Sequence, residues 1–407
     1  MMNIGTYGRE VEHELESILS WWMENSLDQD CGGFYGKIDN GNKTWPEAPK
    51  GVVLNSRILW TFSAAYNYNG NAAWLSVAKR AYEYLLTYFL DRKYGGVYWS
   101  VDHTGKPLND RKQIYGLAFS LYGLSEYYIA TKDPVALEQS IGLFRLIELY
   151  SYDTLRQGYY EAFSRDWQPL EDLRLSPKDA NEKKTMNTHL HVVEAYANLY
   201  RCWPDVFLKR QIAGLLEVFF DYIVDGATGH LLLFFDEEWR NRSPVISFGH
   251  DIEASWLLQE AATIIGDPRW ASTAEQGALT MAIAAAEGLD DDGGLWYEQE
   301  RDLLHREKHS WPQAEAMVGF LNAWQISGQQ EWLERSMHNW EFVKKYIKDP
   351  RYGEWFWGVT RDHLPMPGQD KAGFWKCPYH NSRACLEIIK RIAEITKSQN
   401  PKIRNFT

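Results

Sequence analysis

The chain of 407 residues has a composition that excludes several classes of protein. About 45% of the residues are hydrophobic and 24% are charged, which is typical of a globular protein with a large core. The formal net charge is −12 and no basic block occurs, which argues against nucleic acid or an anionic membrane as a partner. The longest uncharged run, residues 58–78, contains several asparagines and a glycine and is no membrane span.

The N-terminus and the cysteines both indicate where the protein is located in the cell. Residues 1–9 contain no apolar segment of the kind found in secretory signals. The four cysteines are scattered, form no CxxC pair and are expected to be reduced thiols. We therefore expect a cytoplasmic protein.

In chain order, the first recurring feature is a short Gly-aromatic element. Its six copies lie at residues 31–35, 95–99, 158–161, 229–233, 293–297 and 353–357. Glycine followed by alternating aromatic residues indicates a turn that leads into a short strand. Six copies at nearly even spacing predict a repeat protein with a small hairpin in each repeat.

Two helices are predicted in each repeat. The helices that lead into the hairpins are predicted at 9–25, 72–90, 134–150, 205–224, 268–287 and 330–347. The helices that follow the hairpins are predicted at 51–67, 111–130, 187–202, 250–266, 311–326 and 379–396.

The two sets of helices differ in charge. The leading helix over 330–347 carries acidic and basic residues along one face, whereas the following helix over 312–327 has a single charge, at Glu315. A helix that is apolar nearly all round must be buried on most sides. Six buried and six amphipathic helices predict an all-α fold, an (α/α)6 barrel with hairpins in its loops, as a single domain over 1–407. An open helical solenoid is the alternative.

Polar residues stand near the N-terminal ends of the following helices and would share one mouth of the barrel. They are Arg57, Tyr115, Asn187, His191, His250, Glu253, Trp311, Glu315 and His380. One or more such residues from each of the six repeats predicts a site there.

Several other chemistries lack support in the sequence. His189 and His191 are two residues apart and would point to different faces of a helix, and no HExxH pattern or cysteine set occurs, so no metal and no cofactor is predicted. Dinucleotide, phosphate-loop and GxSxG patterns are absent as well. A glycoside hydrolase stays open as an alternative, because Asp251, Glu253, Glu298 and Glu315 could supply two opposed carboxyl groups.

Four segments, 185–191, 247–253, 311–315 and 375–380, resemble the N-acylglucosamine 2-epimerase superfamily, and the likeness extends over essentially the whole chain. The segments 187–191 and 311–315 are similar to the branch that acts on cellobiose. The resemblance implies a metal-free (α/α)6 barrel that inverts C2 of the reducing-end glucose of cellobiose and related β-1,4-linked disaccharides such as lactose. The other activities considered are N-acylglucosamine 2-epimerisation, aldose–ketose isomerisation of mannose and, from outside the superfamily, glycoside hydrolysis or sugar binding without catalysis.

The resemblance also implies catalytic roles. His250 and His380 would form the general acid and base pair, one on each face of C2, with His380 opening the sugar ring. His191, oriented with Asn187, would bind the O1 and O2 region of a cis-enediol. Glu253, one helical turn beyond His250, would hold the tautomer of that imidazole. Histidine suits these roles because its ordinary pKa is about 6.5.

The remaining site residues are expected to bind the sugar. Arg57 would supply a positive charge beside the enediolate, with Tyr115 as a further donor. Trp311 and Trp375 would stack on sugar faces. Glu298 would bind hydroxyl groups at the mouth. A small disaccharide is thus the expected partner, and the protein is expected to be a monomer.

Overall fold

A computed structural model describes residues 3–399, which form twelve α-helices. They are α1 Ile4–Asn25, α2 Val52–Asn69, α3 Ala72–Tyr84, α4 Ile114–Thr131, α5 Pro134–Tyr150, α6 Met186–Cys202, α7 Val206–Val218, α8 Phe248–Ile265, α9 Pro268–Ala285, α10 Ser310–Ser327, α11 Gln330–Phe342 and α12 Tyr379–Gln399. A five-residue π-helical turn extends α3, α7 and α11, at Leu85–Phe89, Phe219–Ile223 and Val343–Ile347.

The strands are short and pair only as antiparallel neighbours. They are β1 Lys50–Gly51, β2 Ser100–Val101, β3 Pro107–Asn109, β4 Lys112–Gln113, β5 Ala162–Phe163, β6 Lys184–Thr185, β7 Phe234–Phe235, β8 Val245–Ile246, β9 Glu298–Glu300, β10 Leu303–His305, β11 Lys308–His309 and β12 Gly358–Val359. The sheets are β1-β2-β3, β4-β5, β6-β7, β10-β9-β8 and β11-β12. Strands β1, β4, β6, β8 and β11 lie at the entrance to an even-numbered helix.

The even-numbered helices form a closed inner ring. Helix α2 packs on α4, α4 on α6, α6 on α8, α8 on α10, α10 on α12, and α12 returns to α2. The odd-numbered helices lie outside them, with α1 against α12 and each later one against the inner helix that precedes it in the chain. The predicted (α/α)6 barrel is confirmed, and the open solenoid is wrong.

Burial separates the two rings as the charge pattern predicts. Residues 114–127 of α4 are all buried, because inner neighbours and an outer helix cover every face. In α1 the buried residues recur with helical period at Tyr7, Val11, Leu15, Ile18 and Trp22. An amphipathic stripe is sufficient for a helix that has solvent on its other side.

The six Gly-aromatic elements form six tight hairpins, as predicted. Their bridges join Leu27 to Phe34, Leu90 to Val97, Tyr152 to Tyr159, Val224 to Leu231, Leu289 to Leu295 and Lys348 to Trp355. An aspartate opens each turn, and in five turns a lysine pairs with it; four of these lysines stand two residues before the next inner helix, and the fifth, Lys371, stands eight residues before α12. The pairs are Asp28–Lys50, Asp91–Lys112, Asp153–Lys184, Asp290–Lys308 and Asp349–Lys371, with N–O distances of 2.6–2.9 Å.

Two helix boundaries differ clearly from the predicted ones. Helix α1 begins at Ile4 rather than at residue 9, because the side chain of Asn3 caps it by accepting from the N–H of Thr6. Helix α4 begins at Ile114 rather than at residue 111, because the preceding residues pair with β5. Within residues 3–399, no helix combines the length with the apolar character that crossing a bilayer would require.

Candidate active site

The inner helices begin at one end of the barrel, where the short sheets surround their first turns. Four of them start directly after a strand and α8 starts one residue beyond one, and each of these strands pairs with a strand of the next repeat. This pairing places the five N-termini at one end of the barrel. The predicted site residues therefore converge at one mouth. Three of them are histidines, each with a different partner.

His191 lies in the second turn of α6 and is buried. Its Nδ1 is 2.9 Å from Oε2 of Glu194 on the same helix. Burial lowers the pKa of His191 although Glu194 opposes this effect. Burial also disfavours the charged form of Glu194, but the Arg383 guanidinium outweighs it and lowers the carboxyl pKa to about 2. The pair is thus a neutral imidazole beside a carboxylate.

His380 is the second residue of α12, and 16% of its side chain is exposed at the mouth. Its Nδ1 is 2.6 Å from Oε1 of Glu315 and 3.9 Å from Oε1 of Glu253. Burial and then the positive charge of Arg57 lower the pKa of His380 well below 6.5. His380 is therefore a neutral base at neutral pH.

His250 is held by a hydroxyl group. Its Nδ1 lies 2.7 Å from Oγ of Ser247, the N-cap residue of α8. Burial lowers the pKa of His250 to about 3. The predicted partnership of His250 with Glu253 is wrong, because one turn of helix directs Glu253 inward, where it is 1% exposed and bonds to Arg383.

The indole of Trp311 links two of the imidazoles. Its ring centroid is 4.7 Å from that of His250 and 5.6 Å from that of His380. All three rings are partly exposed. A flat apolar ring thus stands between two neutral imidazoles.

Beneath the imidazoles lies one buried guanidinium. Arg383 is 1% exposed, and its Nη2 donates to Glu253 at 2.6 Å and to Glu315 at 2.7 Å. Its Nη1 bonds to Glu194 and to the hydroxyl of Tyr379. Burial, strengthened by the nearby Glu315, raises the pKa of Glu253 to about 8, and burial raises that of Glu315.

These acidic groups bear on the prediction that no metal is bound. Single ligand atoms of Glu253, Glu315 and His380 lie within 4.8 Å of one another, which is close enough to share a cation. The guanidinium of Arg383 already stands there and supplies the positive charge that such a cluster requires. The residues present therefore fit an arginine better than a metal ion.

Aromatic and cationic groups line the side of the mouth next to His191. Arg57 Nη2 donates to the hydroxyl of Tyr115 at 2.8 Å, and its guanidinium lies 4.1 Å from the ring of Phe119. Burial opposes the charge on Arg57, but the surrounding groups raise its pKa, so the cation is permanent. The Tyr115 ring contacts His191 at 5.1 Å and Trp375 at 5.7 Å between centroids.

Asn187 lies in the first turn of α6, and Glu298 is the first residue of β9. Asn187 is half-buried, and its side-chain oxygen has no hydrogen-bond partner among the described residues. The expected orientation of His191 by Asn187 is wrong, since Glu194 holds that imidazole. Strand β9 brings Glu298 close to the start of α8, because Gln299 pairs with Ile246, the residue before Ser247. Burial raises the pKa of Glu298 to about 7.

Four important residues are absent from the sequence-based prediction: Glu194, Ser247, Tyr379 and Arg383. Two of them carried a usable signal. Glu194 and Arg383 are charged residues on inner helices, three positions beyond His191 and His380, and a charge on a buried helix face requires a partner. Ser247 and Tyr379 lie within the segments 247–253 and 375–380, but neither residue type indicates a role by itself, since both are common at helix ends.

Several known proteins are similar to this chain in fold and in sequence. The family model for N-acylglucosamine 2-epimerase (GlcNAc 2-epimerase) matches residues 33–384. Cellobiose 2-epimerase of Bacteroides fragilis is 48% identical, over 94% of this chain and 98% of that protein. A cellobiose 2-epimerase of Ruminococcus albus is 39% identical over 95% and 99%. The structure of cellobiose 2-epimerase from Bacillus thermoamylovorans superposes with a TM-score of 0.91 at 39% identity, over 95% of this chain and 100% of that one.

The barrel, its ring of imidazoles and these relatives define the class of protein, a carbohydrate epimerase. The chain belongs to the N-acylglucosamine 2-epimerase family, as the four segments predicted.

Proposed function

We propose that this epimerase inverts C2 of the reducing-end glucose of cellobiose and related β-1,4-linked disaccharides, converting that unit to mannose. The observation that carries the proposal is the contact of His250 and His380 with the same Trp311 ring, while each imidazole keeps its own partner. Two independent neutral bases beside one aromatic wall suit proton removal from one face of C2 and return to the other.

The first step is opening of the sugar ring. In this scheme His380 takes the proton from O1 and delivers it to the ring oxygen O5, which breaks the C1–O5 bond and leaves His380 neutral again. Its Nδ1 is engaged with Glu315, so Nε2 is the nitrogen available for this transfer. The open-chain aldehyde then makes the hydrogen on C2 acidic.

The second step is the exchange of that hydrogen. His250 removes the proton from C2 and becomes an imidazolium, and the electron pair forms a cis-enediolate. A solvent proton that reaches C2 through His380 from the opposite face restores the aldehyde with inverted configuration. His250 returns its proton to solvent, so protons balance over the cycle.

The enediolate needs electrostatic support from fixed donors. Arg57, with its charge buried and its fork bonded to Tyr115, can stabilise O1 and O2 without reorganising. His191 stands beside Tyr115 and would bind the same oxygens. Trp311, Trp375, Asn187 and Glu298 would hold the two sugar rings at the mouth, while Glu253 supports the site from beneath through Arg383.

Proton NMR of cellobiose incubated with the protein in D2O tests the function. We expect a disaccharide with a reducing-end mannose that carries deuterium at C2. His250→Ala and His380→Ala should each lower turnover by roughly 10²–10⁴-fold, the usual worth of a general acid or base, while circular dichroism shows intact helices. His13→Ala, on the exposed face of α1, is the matched control and should be as active as wild type.

Two outcomes would contradict the proposal. Wild-type turnover by either mutant would exclude the two-base scheme, and release of glucose would indicate a hydrolase. The geometry already disfavours hydrolysis, since Glu253 and Glu315 share one nitrogen of Arg383 and Asp251 is bonded to His230. Carboxyl groups that flank a glycosidic bond stand about 5–9.5 Å apart with room for substrate between them.

We also propose that residues 1–407 act as a single catalytic domain, as a cytoplasmic monomer without metal or cofactor. The free state of all four cysteines supports a reducing compartment. The net charge of −12 supports a partner other than nucleic acid. Unchanged turnover after prolonged chelator treatment would agree with this, and loss that one added ion restores would contradict it.

A further inference from the structure

We propose that Arg383 is a positioning residue that holds His191 and His380 in the same tautomer through their carboxylate partners, whereas Ser247 sets His250 separately. This inference rests on the proposed function, because it assigns the nitrogen with which two of the imidazoles meet the sugar. It adds a residue that contacts neither imidazole directly.

The tautomer of each imidazole depends on the group that its Nδ1 contacts. Nδ1 of His191 lies 2.9 Å from Glu194, whose carboxyl is ionised and can only accept. Nδ1 of His380 lies 2.6 Å from the Glu315 oxygen that already accepts from Arg383. Arg383 donates to one oxygen of Glu315 and Trp256 to the other, which favours a carboxylate that accepts from His380. Both imidazoles then donate from Nδ1, which leaves Nε2 of each as the free base.

The guanidinium of Arg383 connects the two carboxylates through its fixed geometry. Its two terminal nitrogens form a rigid planar fork. In Arg383 one prong points to Glu194 and the other to Glu253 and Glu315, so one side chain anchors both carboxylates that orient a histidine. Neither carboxylate can turn without breaking its bond to this fork.

Arg383 is itself held in place by its neighbours. The guanidinium lies between aromatic rings, 4.4 Å from the centroid of Tyr379 and 4.9 Å from that of Trp256. Trp256 also donates to Oε2 of Glu315 at 3.1 Å, which fixes that carboxylate from its other oxygen. Two aromatic rings therefore hold the Arg383 guanidinium, and hydrogen bonds hold both oxygens of Glu315.

His250 provides an internal reference. Its Nδ1 bonds to Ser247 at 2.7 Å, and none of the described bonds of Arg383 leads to it. A change confined to Arg383 and its carboxylate partners should leave the tautomer of His250 unaltered. General loosening of the barrel mouth should instead disturb all three imidazoles.

The test is ¹⁵N NMR of the full chain labelled at histidine, at pH 7, in wild type and Arg383→Lys. Lysine keeps the charge but ends in a single nitrogen on a flexible stem, so it lacks the rigid planar fork that fixes the carboxylates on both sides. In wild type we expect His191 and His380 to be protonated at Nδ1. In Arg383→Lys we expect both to become mixtures of tautomers with His250 unchanged, and kcat to fall about 10- to 100-fold, as for outer partners of metal-bound histidines, with KM nearly constant.

Arg391→Lys is the matched control, because Arg391 lies two turns further along α12 and bonds to Asn322 and Gln325. It should leave all three imidazoles as in wild type. If Arg383→Lys does not fold, Glu194→Gln replaces it. Glu194 makes no described hydrogen bond to His380, so the proposal requires that this variant also alter the His380 signals.

A change in only one of His191 and His380, a change in neither, or an equal change in His250 would overturn the inference. The spectra need no turnover. Failure of the wild type to epimerise cellobiose would therefore refute the proposed function while leaving the role of Arg383 decided by NMR alone.

Discussion

Glycine-to-alanine changes at Gly123, in an inner helix, and at Gly142, in an outer helix, should alter stability in opposite directions. Gly123 lies in α4, where an added Cβ would stand 2.7 Å from the backbone oxygen of Ser56 in α2. Gly142 lies in α5, an outer helix, where an added Cβ would meet nothing within 4 Å. Both are interior helical positions, so their intrinsic preference for alanine is the same.

The magnitudes follow from the contacts. Ordinary Cβ contacts begin at 3.4 Å, so Gly123→Ala must separate α4 from α2 by about 0.7 Å. Because the obstacle is backbone, we take the upper end of the usual cost of overpacking, about 3 kcal/mol. The gain in helix propensity is about 1 kcal/mol, and the net loss is about 2 kcal/mol. Gly142→Ala has only the gain, about 1 kcal/mol.

Urea denaturation followed by far-ultraviolet circular dichroism measures both changes. The midpoint should fall for Gly123→Ala and rise for Gly142→Ala. Two further variants extend the comparison: Gly319→Ala, where Ile252 blocks the added methyl group, should behave like the first, and Gly214→Ala, with open space, like the second. A higher midpoint for Gly123→Ala would refute the reasoning that inner helices touch backbone to backbone.

Three other predictions concern single side chains. Lys184→Met removes the cation paired with the buried Asp153, to which two backbone N–H groups and the Tyr160 hydroxyl still donate. The free energy of unfolding should therefore fall by about 3 kcal/mol, the lower end of the usual cost of breaking a buried pair, whereas Lys183→Met, on a half-exposed pair, should cost less than about 1 kcal/mol in the same urea titrations. Burial raises the pKa of Glu161 to about 8, so the folded state keeps a proton that the unfolded chain loses above its ordinary value of 4.5. The free energy of unfolding should therefore fall between those pH values, and Glu161→Gln should flatten the fall; an equally steep fall in the variant would contradict this. Ser247→Ala should reduce epimerisation about tenfold or more by freeing His250, and unchanged turnover would show that the hydroxyl does not position the imidazole.

Much of the architecture could be inferred from the chain alone, because its causes are local. The Gly-aromatic turns recur with nearly constant spacing, and the contrast between charged and apolar helices reports which faces can meet solvent. The same contrast placed Arg57, His191, His250 and His380 on the inner ring, where the structure has them. Even the errors at the starts of α1 and α4 are local, since a cap and a two-residue strand caused them.

The partners of the catalytic groups could not be inferred in this way. Glu253 follows His250 by one turn, yet it serves Arg383 of another repeat, while the carboxylate that holds His380 is Glu315, 65 residues earlier in the chain. Spacing along one helix shows only which side chains share a face. Which faces meet, and which buried charges then neutralise one another, depends on the rotation and distance of packed helices, and these are properties of the closed ring.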